Sequence, residues 1–282
     1  MKMTISAAIA ALGIAVSAPA SAIVVGGIDF GALGNTAHLE TATLAETLVT
    51  APGQTLQGYG YITSVNGDNS YCAGGTGLQC SLYYYFHNYT VTAFNGTQVQ
   101  FSGGVVDLYY SAAPATNLFN QNSLANVAAI TGMTPWARLT GHTFFDPLFA
   151  LPGLQTLNGE GSLTGATLSQ TGRGQLDSDT SGAFGLASVA AYLNGNSIAD
   201  NIGGFADIVL TSSSNNFVLN PHDVTDGLAT GCGTGQAAPG AWCLQGTLNT
   251  RGATVVPEPA SLALLGIGLF GLMGVARRAK RS

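Results

Sequence analysis

SLYYYFHNYTVTAF, residues Ser81–Phe94, decides the fold class. Tyr83, Tyr85, His87, Tyr89 and Val91 fall on one side of an extended chain, and Leu82, Tyr84, Phe86, Asn88 and Thr90 on the other. A period of two built from aromatic and β-branched side chains fits a pleated strand. Asn95-Gly96 follows at once, a pair that accepts the positive φ angles of a tight hairpin turn. A second alternating run, TQVQFSGGVVDLYYSA (Thr97–Ala112), then continues the pattern, broken at Gly103-Gly104.

The same texture extends outward. NGEGSLTGATLSQTGRGQLD (Asn158–Asp177) and GGFADIVLTSSS (Gly203–Ser214) read as short strands between glycine turns. With 39 glycines in 282 residues, long helices are disfavoured. Asn117–Ala129 is the best candidate for a short helix or irregular excursion, and His38–Val49 is a second helix candidate. Turn signals every eight to twelve residues predict an all-β domain, a single β-sandwich of jelly-roll type.

The two ends of the chain do not belong to that domain. Residues 1–22 carry a cation at Lys2, an apolar stretch Ile5–Val16 and Ala20-Ser21-Ala22, the layout of a secretory signal peptide cleaved after Ala22. At the other end, Ala260–Ala276 is uncharged throughout. As a helix it would be roughly 25 Å long, close to the ~30 Å hydrocarbon core of a bilayer. Arg277, Arg278, Lys280 and Arg281 follow it; by the positive-inside rule they hold the C-terminus in the cytoplasm and leave the preceding domain outside. Between domain and span stands Pro257-Glu258-Pro259, where two prolines keep the chain extended, as a processing enzyme requires. The domains are therefore 1–22, signal peptide; 23–256, ectodomain; and 257–282, sorting signal.

This tail closely resembles the PEP-CTERM sorting signal of Gram-negative bacteria: the Pro-Glu-Pro motif, the small-residue linker ASLALLG (Ala260–Gly266), the apolar run and the basic end. The resemblance implies cleavage near the motif by a membrane-embedded exosortase, a transient membrane anchor, and export in a species that makes exopolysaccharide. A second resemblance covers Trp136–Pro259. Arg138-Leu139-Thr140-Gly141-His142, the segments GLQTLNGEGSLTG (Gly153–Gly165) and RGQLDSDTSGAF (Arg173–Phe184), and Gly204–Ser213 before LQGTLNTRGATVVPEP (Leu244–Pro259) are similar to the flocculation-associated PEP-CTERM proteins. That likeness implies a role in holding cells together in floc or biofilm through the exopolymer, with no catalytic residues to carry over.

Residues 23–256 hold only Arg138, Arg173 and Arg251 as cations against thirteen acids, a net charge of −10. Nucleic-acid binding is excluded, since it depends on clustered Lys and Arg. Cys72 and Cys80 bracket one glycine-rich loop, and Cys232 and Cys243 another. In an exported chain these read as two local disulfides among three possible connectivities. A zinc site is the alternative, but its usual spacings are missing.

His142 with Asp146, and His222 with Asp223, could each seed an acid–base pair, yet i, i+4 spacing does not gather side chains on a strand. No Gly-x-Ser-x-Gly elbow occurs, and paired carboxylates of a glycosidase are not evident. The expectation is a non-catalytic protein with no cofactor. A polysaccharide-acting enzyme and a permanently anchored envelope protein are the competing readings. Asp177-Ser178-Asp179 and Asn66-Gly67-Asp68-Asn69 offer the oxygen ligands calcium prefers, and equally read as solvated turns. Tyr83, Tyr85 and Tyr109 are candidate carbohydrate contacts, or core residues if both faces of the sheet are covered.

Overall fold

The computed structural model describes residues 22–32, 37–74, 79–115, 122–216, 232 and 234–252. The hairpin at its centre is the one that the aromatic run and the Asn-Gly turn dictate. Strand β5 (Ser81–Phe94) pairs antiparallel with β6 (Gln98–Ser111), and Asn95 Oδ1 accepts the backbone N–H groups of Thr97 and Gln98 at 3.0 and 2.7 Å. The alternation breaks at Asn88. Asn88 takes a φ of +61°, so Tyr89 and Val91 join Leu82, Tyr84 and Phe86 on the inner face instead of Tyr83, Tyr85 and His87.

Around this hairpin the remaining strands form a ring rather than two facing sheets. Strands β3 (His38–Thr47) and β4 (Thr55–Val65) lead into β5 and β6 as an antiparallel meander. The next ring position is shared. β7 (Thr134–Gly141) pairs with one half of β6 and β8 (Leu157–Ser162) with the other, so the two are halves of one strand interrupted by residues 142–156. Both also pair with β9 (Ser169–Ser178). β9 pairs with β12 (Ile208–Asn215), β12 with β13 (Trp242–Gly252), and β13 with β3, which closes the circuit. The nine strands thus fill eight positions of a closed up-and-down barrel. The all-β expectation stands. In place of a jelly-roll sandwich the structure has one continuous sheet, because β12 finds a partner on each side.

Short elements sit on this frame. β1 (Ala22–Val25) and β2 (Ile28–Ala32) form a hairpin, and β10 (Ile198–Ala199) and β11 (Phe205–Ala206) another. Helix α1 (Ser123–Thr131) falls within the expected excursion but starts later, where Asn122 Oδ1 caps the N–H of Ala125 at 2.7 Å. Helix α2 (Ala187–Leu193) was not expected. The helix expected over His38–Val49 is instead β3. Leu39 and Glu46 have helix-like spacing, but pairing with β4 and β13 on both sides overrides local propensity.

The interior is built by placing rings over glycines. The ring of Phe86 lies where a side chain on Gly58 would be, and the ring of Tyr89 covers Gly104 in the same way. One end is plugged by Ile28, Phe30, Trp136, Val189 and Leu193, all fully buried or nearly so. Trp136 Nε1 donates to the carbonyl of Gly26 at 2.9 Å. Both disulfides form as local pairs, Cys72–Cys80 and Cys232–Cys243. The first lies at the plugged end, in the connection from β4 to β5, where Ile28 bridges to Cys72. The second lies at the opposite end, against Leu48, Leu168 and Leu244.

Gly58→Ala keeps an ordinary backbone angle but drives a methyl into the Phe86 ring and the Ala45 carbonyl. The expected cost is about 1–3 kcal/mol of stability, read as a lower denaturation midpoint with unchanged circular dichroism.

Candidate functional site

The outer wall of β4, β5 and β6 carries the tyrosines singled out from sequence, and the structure divides them. Tyr83 is 0% exposed and Tyr109 5%. Tyr83 is covered in a cluster with Tyr59, Ile130 of α1 and Trp242, and Tyr109 lies edge-on to Phe184 with centroids 5.6 Å apart. Neither is available as a stacking platform for sugar, because α1 and the 179–186 segment pack over them. α1 is tied down through Tyr59, whose hydroxyl donates to Ser123 Oγ at 3.2 Å and accepts from Asn126 Nδ2 at 2.8 Å. Tyr85 alone remains at the surface, half-buried. Its ring stacks on His87 at 4.8 Å and its hydroxyl donates to Gln57 Oε1 at 2.7 Å.

Beside Tyr85 lies an ionic network that sequence reading did not find. Arg138 makes two hydrogen bonds to Asp107, at 2.6 and 2.8 Å, and its guanidinium sits 4.3 Å from the centre of the Phe184 ring. His87 Nε2 approaches the same carboxylate at 3.3 Å. Burial alone would raise the Asp107 carboxyl; the Arg138 fork and the His87 contact outweigh it and hold it below the usual carboxylate range. Nothing in the sequence announced this pair: Asp107 and Arg138 stand directly opposite each other on β6 and β7, a register that only the sheet supplies.

His142 and Asp146, set aside as an acid–base pair because of their spacing, take different partners. His142 Nδ1 meets Asp177 at 2.7 Å and Nε2 meets Asp200 at 3.3 Å. Burial would lower its pKa, but the two carboxylates outweigh burial and raise it. Asp146 instead contacts Asn158 at 3.2 Å and Arg173 at 3.5 Å. His222 and Asp223 lie outside the described residues.

The calcium candidates are occupied locally. Asn66 Oδ1 accepts from the His38 N–H at 3.0 Å, Asp68 Oδ1 from the Ser70 N–H at 2.7 Å and Asp179 Oδ1 from the Ser181 N–H at 2.9 Å. Asp177 turns to His142. Among the described residues, no three His, Cys, Asp or Glu side chains converge as metal ligands would.

Inside the barrel the sequence gave no warning of Glu46. It is fully buried, and Gln170 Nε2 donates to its Oε1 at 2.7 Å and to Ser214 Oγ at 2.8 Å. Burial pushes its pKa up to about 7, against the opposing hydrogen bonds of Gln170 and Ser214. A family model for the PEP-CTERM protein-sorting motif matches residues 255–281. The chain is a PEP-CTERM protein. Pro257, Glu258 and Pro259 and the basic cluster Arg277, Arg278, Lys280 and Arg281 all fall within that match. The motif is the recognition signal of exosortase, so the PEP-CTERM protein is exported, anchored transiently in the membrane and processed. No curated protein and no solved structure matches the chain. The leader expected over residues 1–22, except Ala22, and the whole of the 257–282 tail lie outside the described residues.

The raised pKa of Glu46 makes a pH prediction with a definite sign. A neutral carboxyl favoured by the fold stabilises fully below its unfolded pKa near 4.5, and that contribution is lost as pH rises through about 7. The loss is about 3 kcal/mol. Unfolding of the PEP-CTERM protein at pH 4.5 and pH 8 should show Glu46→Gln gaining stability relative to wild type only at the higher pH.

Proposed function

We propose that this is a non-catalytic surface or matrix protein that, once cut from its anchor, resides in exopolysaccharide and promotes floc or biofilm formation. The observation that carries this reading is the sorting signal attached to a rigid, disulfide-bonded barrel. A closed ring of strands offers no open edge for aggregation in a crowded polymer. Its outer wall exposes hydroxyls, among them Thr90, Thr92, Ser102, Ser169, Thr171 and Thr211. Thr97, Gln98, Glu160, Ser169 and Thr171 line a shallow open groove, whose hydroxyl and amide groups match the donors and acceptors of a sugar chain better than the covered tyrosines do. The resemblance of Trp136–Pro259 to flocculation-associated PEP-CTERM proteins supports the same role.

Two measurements on a native host test it. Intact-mass analysis of protein recovered from the extracellular polymer should give a chain ending near Pro257–Pro259. A mass that still includes Ala260–Ser282 would make it a permanent membrane resident. Deleting the gene should disperse flocs, and restoring the wild-type chain should rebuild them. Unchanged flocs after deletion would end the matrix reading.

A further inference from the structure

Exposed apolar side chains are not scattered evenly over the barrel. Among the described residues eight large ones are exposed, and five of the eight (Phe145, Leu148, Leu154, Ile202 and Phe205) sit on two excursions that dock on each other. One is residues 142–156, which interrupt the strand shared by β7 and β8, and the other is the β10–β11 hairpin. The Phe145 N–H donates to the Asp200 carbonyl at 2.9 Å, and Asn201 Nδ2 donates to the Phe145 carbonyl at 2.9 Å. The bridge between Phe144 and Gln155 sets Leu154 beside Phe145, and Leu148 is 86% exposed. Singly exposed leucines need no explanation, whereas clustered apolar surface marks a contact site.

Two acids of these excursions are turned inward. Asp200 Oδ1 accepts the N–H groups of Ile202, Gly203 and Gly204, and its Oδ2 faces His142 at 3.3 Å. Asp146 Oδ1 accepts the Leu148 N–H at 3.0 Å, and its Oδ2 faces Arg173 at 3.5 Å. The carboxylates therefore brace the loops that present Leu148 and Ile202, and each has a base beside it. The cluster also lies near the point where the chain leaves the barrel. Gly252, Ile208, Leu176 and Gly141 stand in one register row across β13, β12, β9 and β7. With strands 4.7–4.9 Å apart, that row is about 15 Å long. Residues 142–156 begin directly after Gly141, and Asp207 alone separates β11 from β12. Seven residues lie between Gly252 and the uncharged run that begins at Ala260, a reach of at most about 29 Å. The segment that anchors the chain thus starts within reach of both excursions.

We propose that this patch rests on the lipid surface while the tail is embedded, with the wall of β7, β9 and β12 turned to the bilayer and the five apolar side chains seated among the headgroups. Aromatic and aliphatic groups are what an interfacial contact buries. Without clustered Lys or Arg the patch holds lipid only weakly by itself, so cutting the tail lets the barrel go. The proposal rests on the membrane anchoring that the sorting motif carries, and the matrix role neither supports nor requires it.

The test uses the full disulfide-bonded chain, held by its tail in nanodiscs of phosphatidylethanolamine and phosphatidylglycerol that contain a nitroxide-labelled lipid. Methyl NMR should show the strongest broadening at Leu148, Leu154 and Ile202. Leu124, on α1 over the opposite wall, should be spared. Leu148→Ser combined with Phe205→Ser changes exposed side chains only, so the barrel should fold. Each apolar side chain withdrawn from lipid is worth on the order of tenfold in the lipid-facing population, and the double variant should lose the broadening at Leu154 and Ile202. Broadening confined to Val24 and Leu186 would mean that the barrel stands on its plugged end. Uniformly weak broadening would mean that it moves freely on its tether, and patch methyls spared in discs holding two chains would mean that a second copy covers them. Any of these three results, or a double variant that broadens like the wild type, overturns the proposal.

Discussion

The pairing of β9 with β12 is the constraint on which the rest of the molecule depends. It runs in continuous register from Ile208 opposite Leu176 to Asn215 opposite Ser169. Without it the sheet would have two open edges and no interior. With it, Leu176, Ile208 and Leu210 turn toward Leu56, Phe86 and Phe101, and the ring acquires one shared core. The closure also answers a compositional problem. Residues 23–256 contain no lysine, the side chain most often used to blunt a sheet edge. A barrel needs no such guard because it has no free edge to protect.

A ring held by nonlocal pairing still needs its connections fixed, and the two disulfides do this at opposite ends. Each closes a short loop, which is worth about 2–3 kcal/mol through restriction of the unfolded chain. At one end Cys72–Cys80 steadies the loop on which β2 docks, with the Asp29 N–H donating to the Tyr71 carbonyl at 2.8 Å. At the other, Asn216 gathers the cap: it donates to the carbonyls of Ala166 and Cys232, each at 2.8 Å, and accepts from the Leu168 N–H at 2.8 Å. Space is left at the second end, between the strands beneath the hydrogen-bonded cap.

How much of this could be read from residue order depends on the range of each interaction. The β5–β6 hairpin, the disulfide pairs and the sorting tail rest on neighbours within a few dozen residues, and their signals are legible. His38–Thr47 is a strand because β13 lies beside it, some two hundred residues away in sequence, and nothing in HLETATLAET announces that partner. Ring closure is hidden for the same reason, since a strand destined for a sandwich and one destined for a barrel alternate alike. The face to which Tyr89 points turns on a single left-handed residue, Asn88. Tyr83 and Tyr109 looked like a sugar platform because alternation tells which residues share a face, while the helix that covers that face packs from elsewhere. Glu46 is invisible in sequence, as a lone glutamate acquires its meaning only from burial.

The place where the chain leaves the barrel has a geometric consequence. β13 ends at Gly252, beside Ala37 and at the plugged end, since the Gly252 N–H donates to the Ala37 carbonyl at 3.0 Å. Only four residues separate Gly252 from Pro257, so even a fully extended connection reaches no further than about 18 Å. The sorting motif therefore begins on the side of the plug of Ile28, Phe30 and Trp136, and whatever holds that motif holds the barrel by this end.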